Sequence, residues 1–137
     1  DDAIAELEAA LRTSDSHPVL LAGLAHVKAL TGAHAEAMAL MARACALKSS
    51  RYVPPFHLAL GYVGLGQLDA AFSALDRTWD DRDPALGSLA VEPRFDPLRD
   101  DPRYVQLLER LNMPTVRNSG SGTRDPGLEI RDPKTRA

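Results

Sequence analysis

The chain has 137 residues, of which 45% are hydrophobic, and a formal net charge of −3 at pH 7. A chain of this length is expected to form one domain around one core. Because the net charge is acidic, we do not expect nucleic acid to bind through its phosphates. No apolar run reaches the length of a membrane span, so no membrane contact is expected. The single cysteine, Cys45, has no partner for an internal disulfide, which is typical of a cytoplasmic protein.

The predicted elements are helices throughout. The first stretch, DDAIAELEAAL, already has helical spacing of its apolar residues, so we expect the chain to be a piece of a longer protein. Four helices are then predicted at about residues 18–31, 34–47, 54–65 and 68–80. No segment alternates between apolar and polar residues with period two, so strands are not expected. The sequence therefore predicts an all-α fold.

Proline and glycine mark the ends of these helices. Proline suits the first helical turn, where no backbone N–H is needed, and it stands at Pro18, Pro55, Pro84 and Pro102. Gly32 and Gly66 each follow a predicted helix and can adopt the left-handed backbone that reverses the chain. Each pair of helices is therefore predicted to be antiparallel and joined by a short turn.

The helical segments repeat with a period of 34 residues. Three sets of residues coincide at this shift: Ala3, Ala37 and Ala71; Leu7, Met41 and Leu75; and Leu24-Ala25 with Leu58-Ala59. A fixed period of this length is the sequence signature of a repeat architecture, in which each unit packs on the next.

On these residues the chain resembles the tetratricopeptide repeat family. The family pattern of leucine, small residue, aromatic residue, turn glycine and crossing small residue is matched by Leu58, Ala59, Tyr62, Gly66 and Ala71. The family's early tryptophan is absent, and Leu21 and Pro55 stand in its place. The resemblance implies an α-solenoid of antiparallel helix pairs with about two and a half repeats. Its units are a half repeat at 1–16 and repeats at 17–50 and 51–84.

Residues 85–113 are predicted to cap this helical repeat domain, which we place at 1–113. They contain two Glu/Asp-Pro-Arg-aromatic units and then a helix with one apolar stripe: Tyr104, Leu107, Leu108 and Leu111. This ending is similar to the ends of repeat regions in large bacterial signalling proteins, which implies a parent of that kind. Residues 114–137 are rich in Gly, Ser, Asp and Arg and are predicted to be a flexible tail, in which SGSG is a candidate cloning remnant.

No motif indicates an enzyme. GYVGLG at 61–66 lacks the spacing of a dinucleotide-binding turn, so we interpret it as the end of a helix. WDDRD at 79–83 lacks the spacing of a calcium-binding loop and is interpreted as a solvated helix end. Ser119 and Ser121 have no positioned base. We therefore predict no catalytic residue, no cofactor and no metal site.

The resemblance implies a binding surface, because the first helices of successive units line a concave groove in this family. The ligand-binding residues of this predicted groove are Ala22, His26, Val53, Phe56, His57 and Leu60. The surface is mostly apolar, so the expected ligand is an extended peptide or an amphipathic helix of a partner protein. A clamp for a peptide carboxylate is not predicted, because Ala22, His26 and His57 replace the lysine and asparagines that relatives use.

Two functions remain open. The first is a protein–protein interaction module that serves as a scaffold or regulatory part of a larger signalling protein. The second is a structural segment whose groove is filled by its own capping region or by a second copy, as in a homodimer. His26 and His57 are expected either as unconnected imidazoles or as a pair that holds an acidic ligand more tightly as the pH falls. The partner and the parent protein are not identified by the sequence.

Overall fold

The computed structural model describes residues 2–13 and 17–112, and within them it contains helices and no strands. The α-helices are α1 (Asp2–Thr13), α2 (Pro18–Leu30), α3 (His34–Ala46), α4 (Pro55–Gly64), α5 (Leu68–Asp80) and α6 (Pro102–Arg110). Short 3-10 helices lie at Leu47–Ser49, Pro84–Ser88 and Pro93–Leu98. The prediction of an all-α fold is confirmed for this part of the chain. The predicted tail at 114–137 and the end of the predicted half repeat, at 14–16, lie outside the described residues.

The helix ends follow the proline and glycine positions. α2 begins at Pro18 and α4 at Pro55. Proline is suited to these positions because an N–H in the first helical turn has no acceptor within the helix. Gly32 has a φ of 90° and Gly66 a φ of 73°, as expected for residues that reverse the chain after a helix. The N–H after each glycine donates to the carbonyl five residues earlier at 2.9 Å. The α2–α3 and α4–α5 connections are therefore the same turn made twice.

The core lies between α2 and the elements on either side of it. α2 packs against α1, α3 and α4, and α4 packs in turn against α5 and the 3-10 helix at Pro93–Leu98. The small residues that the sequence predicted at helix crossings are fully buried: Ala25, Ala37, Ala44, Ala59 and Ala71. Alanine permits close approach of helix axes, whereas a bulkier side chain would force them apart.

α6 is attached to α5 by two arginines. Arg103 Nη1 lies 2.8 Å from Asp69 Oδ1, and Arg110 Nη2 lies 2.6 Å from Asp76 Oδ1. Each guanidinium also lies over an aromatic ring of α5. Beneath these ion pairs the predicted apolar stripe faces inward, with Tyr104, Leu107 and Leu108 buried. The capping helix is thus held by an apolar interior and a charged edge.

Two four-residue segments, 92–95 and 101–104, make the same local contacts. The first lies before α6, and the second forms its start. Glu92 accepts hydrogen bonds from the N–H, Nε and Nη2 of Arg94 at 3.1, 2.8 and 3.0 Å. Asp101 accepts the same three bonds from Arg103 at 2.9, 3.1 and 3.0 Å. In both units the carboxylate caps a helix start and holds a guanidinium, and the aromatic residue that follows is buried: Phe95 and Tyr104.

Candidate functional site

The residues of the predicted groove are mostly interior. Their exposed fractions are Ala22 0%, His26 5%, Val53 6%, Phe56 4% and Leu60 1%, and His57 is half-buried. The sequence interpretation placed these side chains on an open surface, whereas the structure places five of the six inside. Two contacts contribute to this burial: the segment Pro93–Leu98 packs on α4 and brings the ring of Phe95 to 5.2 Å from that of Phe56, and His26 packs against Leu60 between α2 and α4. A binding role for these residues stays a prediction.

His26 joins α2 to α4. Its Nδ1 lies 2.8 Å from the carbonyl oxygen of Leu60, and because a carbonyl only accepts, Nδ1 carries the proton and donates. The neighbouring Gly64 allows this contact, since a Cβ at that position would lie 3.0 Å from the Cα and carbonyl oxygen of His26. The GYVGLG stretch therefore contributes a close helix contact, which agrees with its structural interpretation.

His57 has different surroundings. Its ring lies edge-on to Phe56 with the centroids 5.7 Å apart. Burial lowers the pKa of His57, the positive charge of Arg94 lowers it further, and His17 acts in the same direction, while Asp83 and Glu92 oppose the shift. The fold therefore favours the neutral imidazole.

A carboxylate of the chain itself lies within electrostatic range of both histidines. Glu92 acts on the pKa of His57, and His26 contributes to the lowered pKa of Glu92. The main cause of that lowering is the hydrogen bond from Arg94, which brings the pKa of Glu92 to about 2. Glu92 is therefore an acidic group of the chain that interacts electrostatically with both histidines, and the pairing of His26 with His57 stays a prediction.

An open cleft of about 500 Å³ lies between α4, α5 and the connection that precedes α4, which includes the 3-10 helix at Leu47–Ser49. The residues that define it are Lys48, Arg51, Tyr52, Leu58, Tyr62 and Arg77, and we call it the Tyr52 cleft. Tyr52 is 60% exposed although it is a large aromatic residue. Of the predicted groove, Val53 alone contributes to this lining. Sequence reasoning did not identify the other residues.

The wall of the Tyr52 cleft is held by a polar contact. The hydroxyl of Tyr52 donates to Asp81 Oδ2 at 3.1 Å, and Arg77 Nε lies 3.6 Å from Asp81 Oδ1. Burial and the bond to Asp81 raise the pKa of Tyr52 to about 12, so the phenol stays protonated at neutral pH. The floor is apolar, because Val53, Leu58 and Ala74 line it and are all buried.

The cleft and the predicted groove lie on different faces of α4. Pro55, Leu58 and Tyr62 recur at helical spacing and line the cleft. Phe56 and Leu60 share another face, and this face meets Phe95 and His26. The segment that covers one face of the helix therefore leaves the other accessible.

One period earlier, the position equivalent to Tyr62 holds Lys28, which forms two ion pairs. Lys28 Nζ on α2 lies 2.9 Å from Glu8 of α1 and 3.0 Å from Glu36 of α3, so it bridges three helices. At a shift of 34 residues these three positions hold Tyr62, Ala42 and Ala70. Alanine cannot form such ion pairs, so the bridge made by Lys28 has no counterpart at Ala42 and Ala70. This difference in charge between the two repeats is the signal in the sequence that distinguishes the second space.

Other features of the described residues bear on function. A second cavity, of about 630 Å³, lies beside the end of α5 and includes Trp79, Leu86 and Leu111 in its lining. Among residues 2–13 and 17–112, no three His, Cys, Asp or Glu side chains are grouped so as to hold a metal ion. None of the helices described is long and apolar enough to span a bilayer.

In comparisons with known proteins, no family model, no curated protein and no solved structure matches this chain. The resemblance to tetratricopeptide repeats therefore depends on the residues of the chain alone.

Proposed function

We propose that this chain is a protein-interaction module of the tetratricopeptide repeat kind, serving as a scaffold or regulatory part of a larger signalling protein. In this proposal α2–α3 and α4–α5 are two successive repeats of an α-solenoid, α1 is the second helix of a preceding repeat, and residues 85–113 are the cap. The support is the pair of identical glycine turns, at Gly32 and Gly66, and the recurrence at 34 residues of both bounds of α3 in α5 and of the end of α2 in α4.

The observation that carries the proposal is the open Tyr52 cleft. Its volume lies within the range of roughly 300–1,000 Å³ that is usual for ligand pockets. Exposed tyrosine beside an apolar floor is characteristic of protein interfaces, where aromatic residues contribute much of the binding energy. We therefore assign partner binding to this cleft, in place of the groove that the family resemblance implied.

Site-specific photo-cross-linking tests this assignment. Benzoylphenylalanine is placed at position 52 of the parent protein, in the cells that express it, and at position 91 as a matched control. Val91 is 78% exposed and does not line the cleft. We expect a discrete adduct with another protein from position 52 and none from position 91. No adduct at 52, or the same adducts from both positions, would contradict the proposal.

A structural role is the second candidate, and the contact of Phe95 with Phe56 favours it. A chain whose concave face is filled by its own cap acts as a rigid spacer or an assembly element. Sedimentation equilibrium separates the two candidates. A monomer with a partner adduct at position 52 supports the interaction module, and a stable dimer without any such adduct supports the structural role.

A further inference from the structure

The rim of the Tyr52 cleft is positively charged. Lys48, Arg51 and Arg77 line it, Asp81 is the acidic residue of the lining, and Asp83 lies close enough to act on Tyr52. One oxygen of Asp81 accepts from Tyr52, and the other faces Arg77, so this carboxylate is already engaged by the protein. A local excess of cations stands out on a chain whose formal net charge is −3.

The floor of the cleft is apolar. Val53, Leu58 and Ala74 form an apolar surface below the charged rim, and Tyr62 adds an aromatic edge. A ligand that fills this space buries an apolar group at the bottom and presents polar or charged groups at the top. For those groups the complementary charge is negative.

We propose that the Tyr52 cleft binds an acidic peptide segment of a partner protein, with one apolar side chain on the floor and carboxylates at the rim. This inference rests on the proposed function, which assigns the cleft to a protein partner. Carboxylates pair with arginine through two parallel hydrogen bonds, and the side chain of Arg77, which is 73% exposed, can reach a ligand from its ion pair with Asp81. The tyrosine hydroxyl, engaged with Asp81, fixes the wall against which the peptide lies.

Nucleic acid is the less suitable anion. A duplex or single strand presents many phosphates in a row, and binding requires a basic surface long enough to follow them. Here the cations stand around one compact space, and the apolar floor has no counterpart in a phosphate backbone. A short acidic peptide with one apolar anchor matches both features.

The first experiment selects peptides from a random nonapeptide library displayed on phage. The protein with Ser73→Trp serves for subtraction, since Ser73 is exposed and lines the cleft, so that tryptophan there fills it. We expect the peptides that depend on an open cleft to be enriched in Asp and Glu around one apolar or aromatic residue. Enrichment in Lys or Arg, or recovery of the same peptides from both proteins, would overturn the proposal.

The second experiment measures affinity by fluorescence anisotropy. The probe is a labelled peptide with one leucine flanked by glutamates, and its control replaces the glutamates by glutamine. We expect the glutamine peptide to bind about tenfold more weakly, and binding of the acidic peptide to weaken as NaCl rises from about 50 to about 300 mM. Equal affinity of the two peptides would overturn the proposal.

Charge reversal locates the binding site. The double variant Lys48→Glu with Arg77→Glu should weaken binding of the acidic probe by about tenfold, because the rim then repels it. The matched control is the double variant Arg12→Glu with Arg43→Glu, which changes the net charge by the same amount. Both residues are exposed and neither lines the cleft, so this variant should retain wild-type affinity. An effect of the same size in both proteins would show that overall charge, and not the cleft, governs binding.

The outcomes separate this inference from the proposed function. If the cross-link from position 52 forms and persists in the charge-reversed double variant, the partner binds the cleft and its acidic character is disproved. If the cross-link is absent, the proposed function fails as well. If a labelled oligothymidylate binds the cleft more tightly than the acidic peptide does, the anion is a nucleic acid and the inference is wrong.

Discussion

The ring of Phe95 lies edge-on to the ring of Phe56, with centroids 5.2 Å apart and an angle of 79° between the planes. This geometry is a favourable one for two aromatic side chains, because the positive edge of one ring meets the negative face of the other. Phe95 is fully buried and Phe56 is 4% exposed, so the contact is part of the core. The capping region is therefore integrated into the fold.

Removing this contact is expected to destabilise the whole domain. Phe95→Ala should reduce the free energy of unfolding by about 3–5 kcal/mol, the usual cost of deleting a buried phenylalanine ring. The measurement is chemical denaturation followed by circular dichroism. Val91→Ala, in the same region but at an exposed position, should change stability by less than about 0.5 kcal/mol. Comparable stability of the two variants would show that the segment does not remain on α4 in solution.

Glycines at two helical positions should respond in opposite directions to alanine. Gly64→Ala places a Cβ 3.0 Å from backbone atoms of His26, which cannot move without separating α2 from α4. Gly23 lies within α2 and has no atom within 4 Å of the corresponding Cβ position. We expect Gly64→Ala to lower the melting temperature and Gly23→Ala to raise stability by about 0.5–1 kcal/mol. If both variants shift the stability in the same direction, the contact between α2 and α4 is looser than the structure shows.

Arg82 occupies a backbone conformation that glycine adopts more easily. It has a φ of 53° after α5, where the corresponding turns after α2 and α4 have glycine. Arg82→Gly removes the steric conflict of a side chain in the left-handed region, although it increases the entropy of the unfolded chain. We expect a net gain in stability of up to about 1 kcal/mol, measured by thermal denaturation. Gly66→Ala, which creates the same conflict, should be destabilising.

Acid should destabilise the domain through His57. Because burial and Arg94 lower its pKa from the ordinary value of 6.5, the unfolded chain binds this proton more readily than the folded chain. The contribution to stability is therefore complete above that value and declines as the pH falls below it. Melting temperatures at pH 7 and pH 5.5 should differ less in His57→Gln than in the wild type. Equal differences in the wild type and in His57→Gln would contradict this role for His57.

The helices could be predicted from the sequence because their ends are determined locally. Proline at a first turn and glycine after a last turn act within a few residues, so the predicted bounds of α2 to α5 agree with the structure to within one residue. Filling of the groove by the capping region was one of the alternatives that the sequence left open, and local signals could not decide between them. The contact of Phe95 with Phe56 joins distant parts of the chain, and the helical pattern of α4 does not reveal what packs on each face.

The Tyr52 cleft was also missed, for a different reason. Its residues come from a connection and from two helices, and no motif unites them. The informative feature is a difference between repeats. Lys28 bridges Glu8 and Glu36, whereas the residues that stand at the equivalent positions around Tyr62 are Ala42 and Ala70. A search for residues that the repeats share overlooks such a site, because the signal is a difference between the two copies.

The two carboxylate–proline–arginine–aromatic units have a consequence for protein engineering. Each hydrogen bond between Glu92 and Arg94, and between Asp101 and Arg103, joins residues two apart in the sequence. The hydrogen bonds that shape such a unit are therefore encoded within four consecutive residues, while the rest of the molecule supplies a pocket for the aromatic ring and, at the second unit, Asp69 and Phe72 as further contacts of Arg103. We expect the tetrapeptide, grafted onto the end of a designed helical array, to keep its internal hydrogen bonds if the array provides an apolar pocket for the ring.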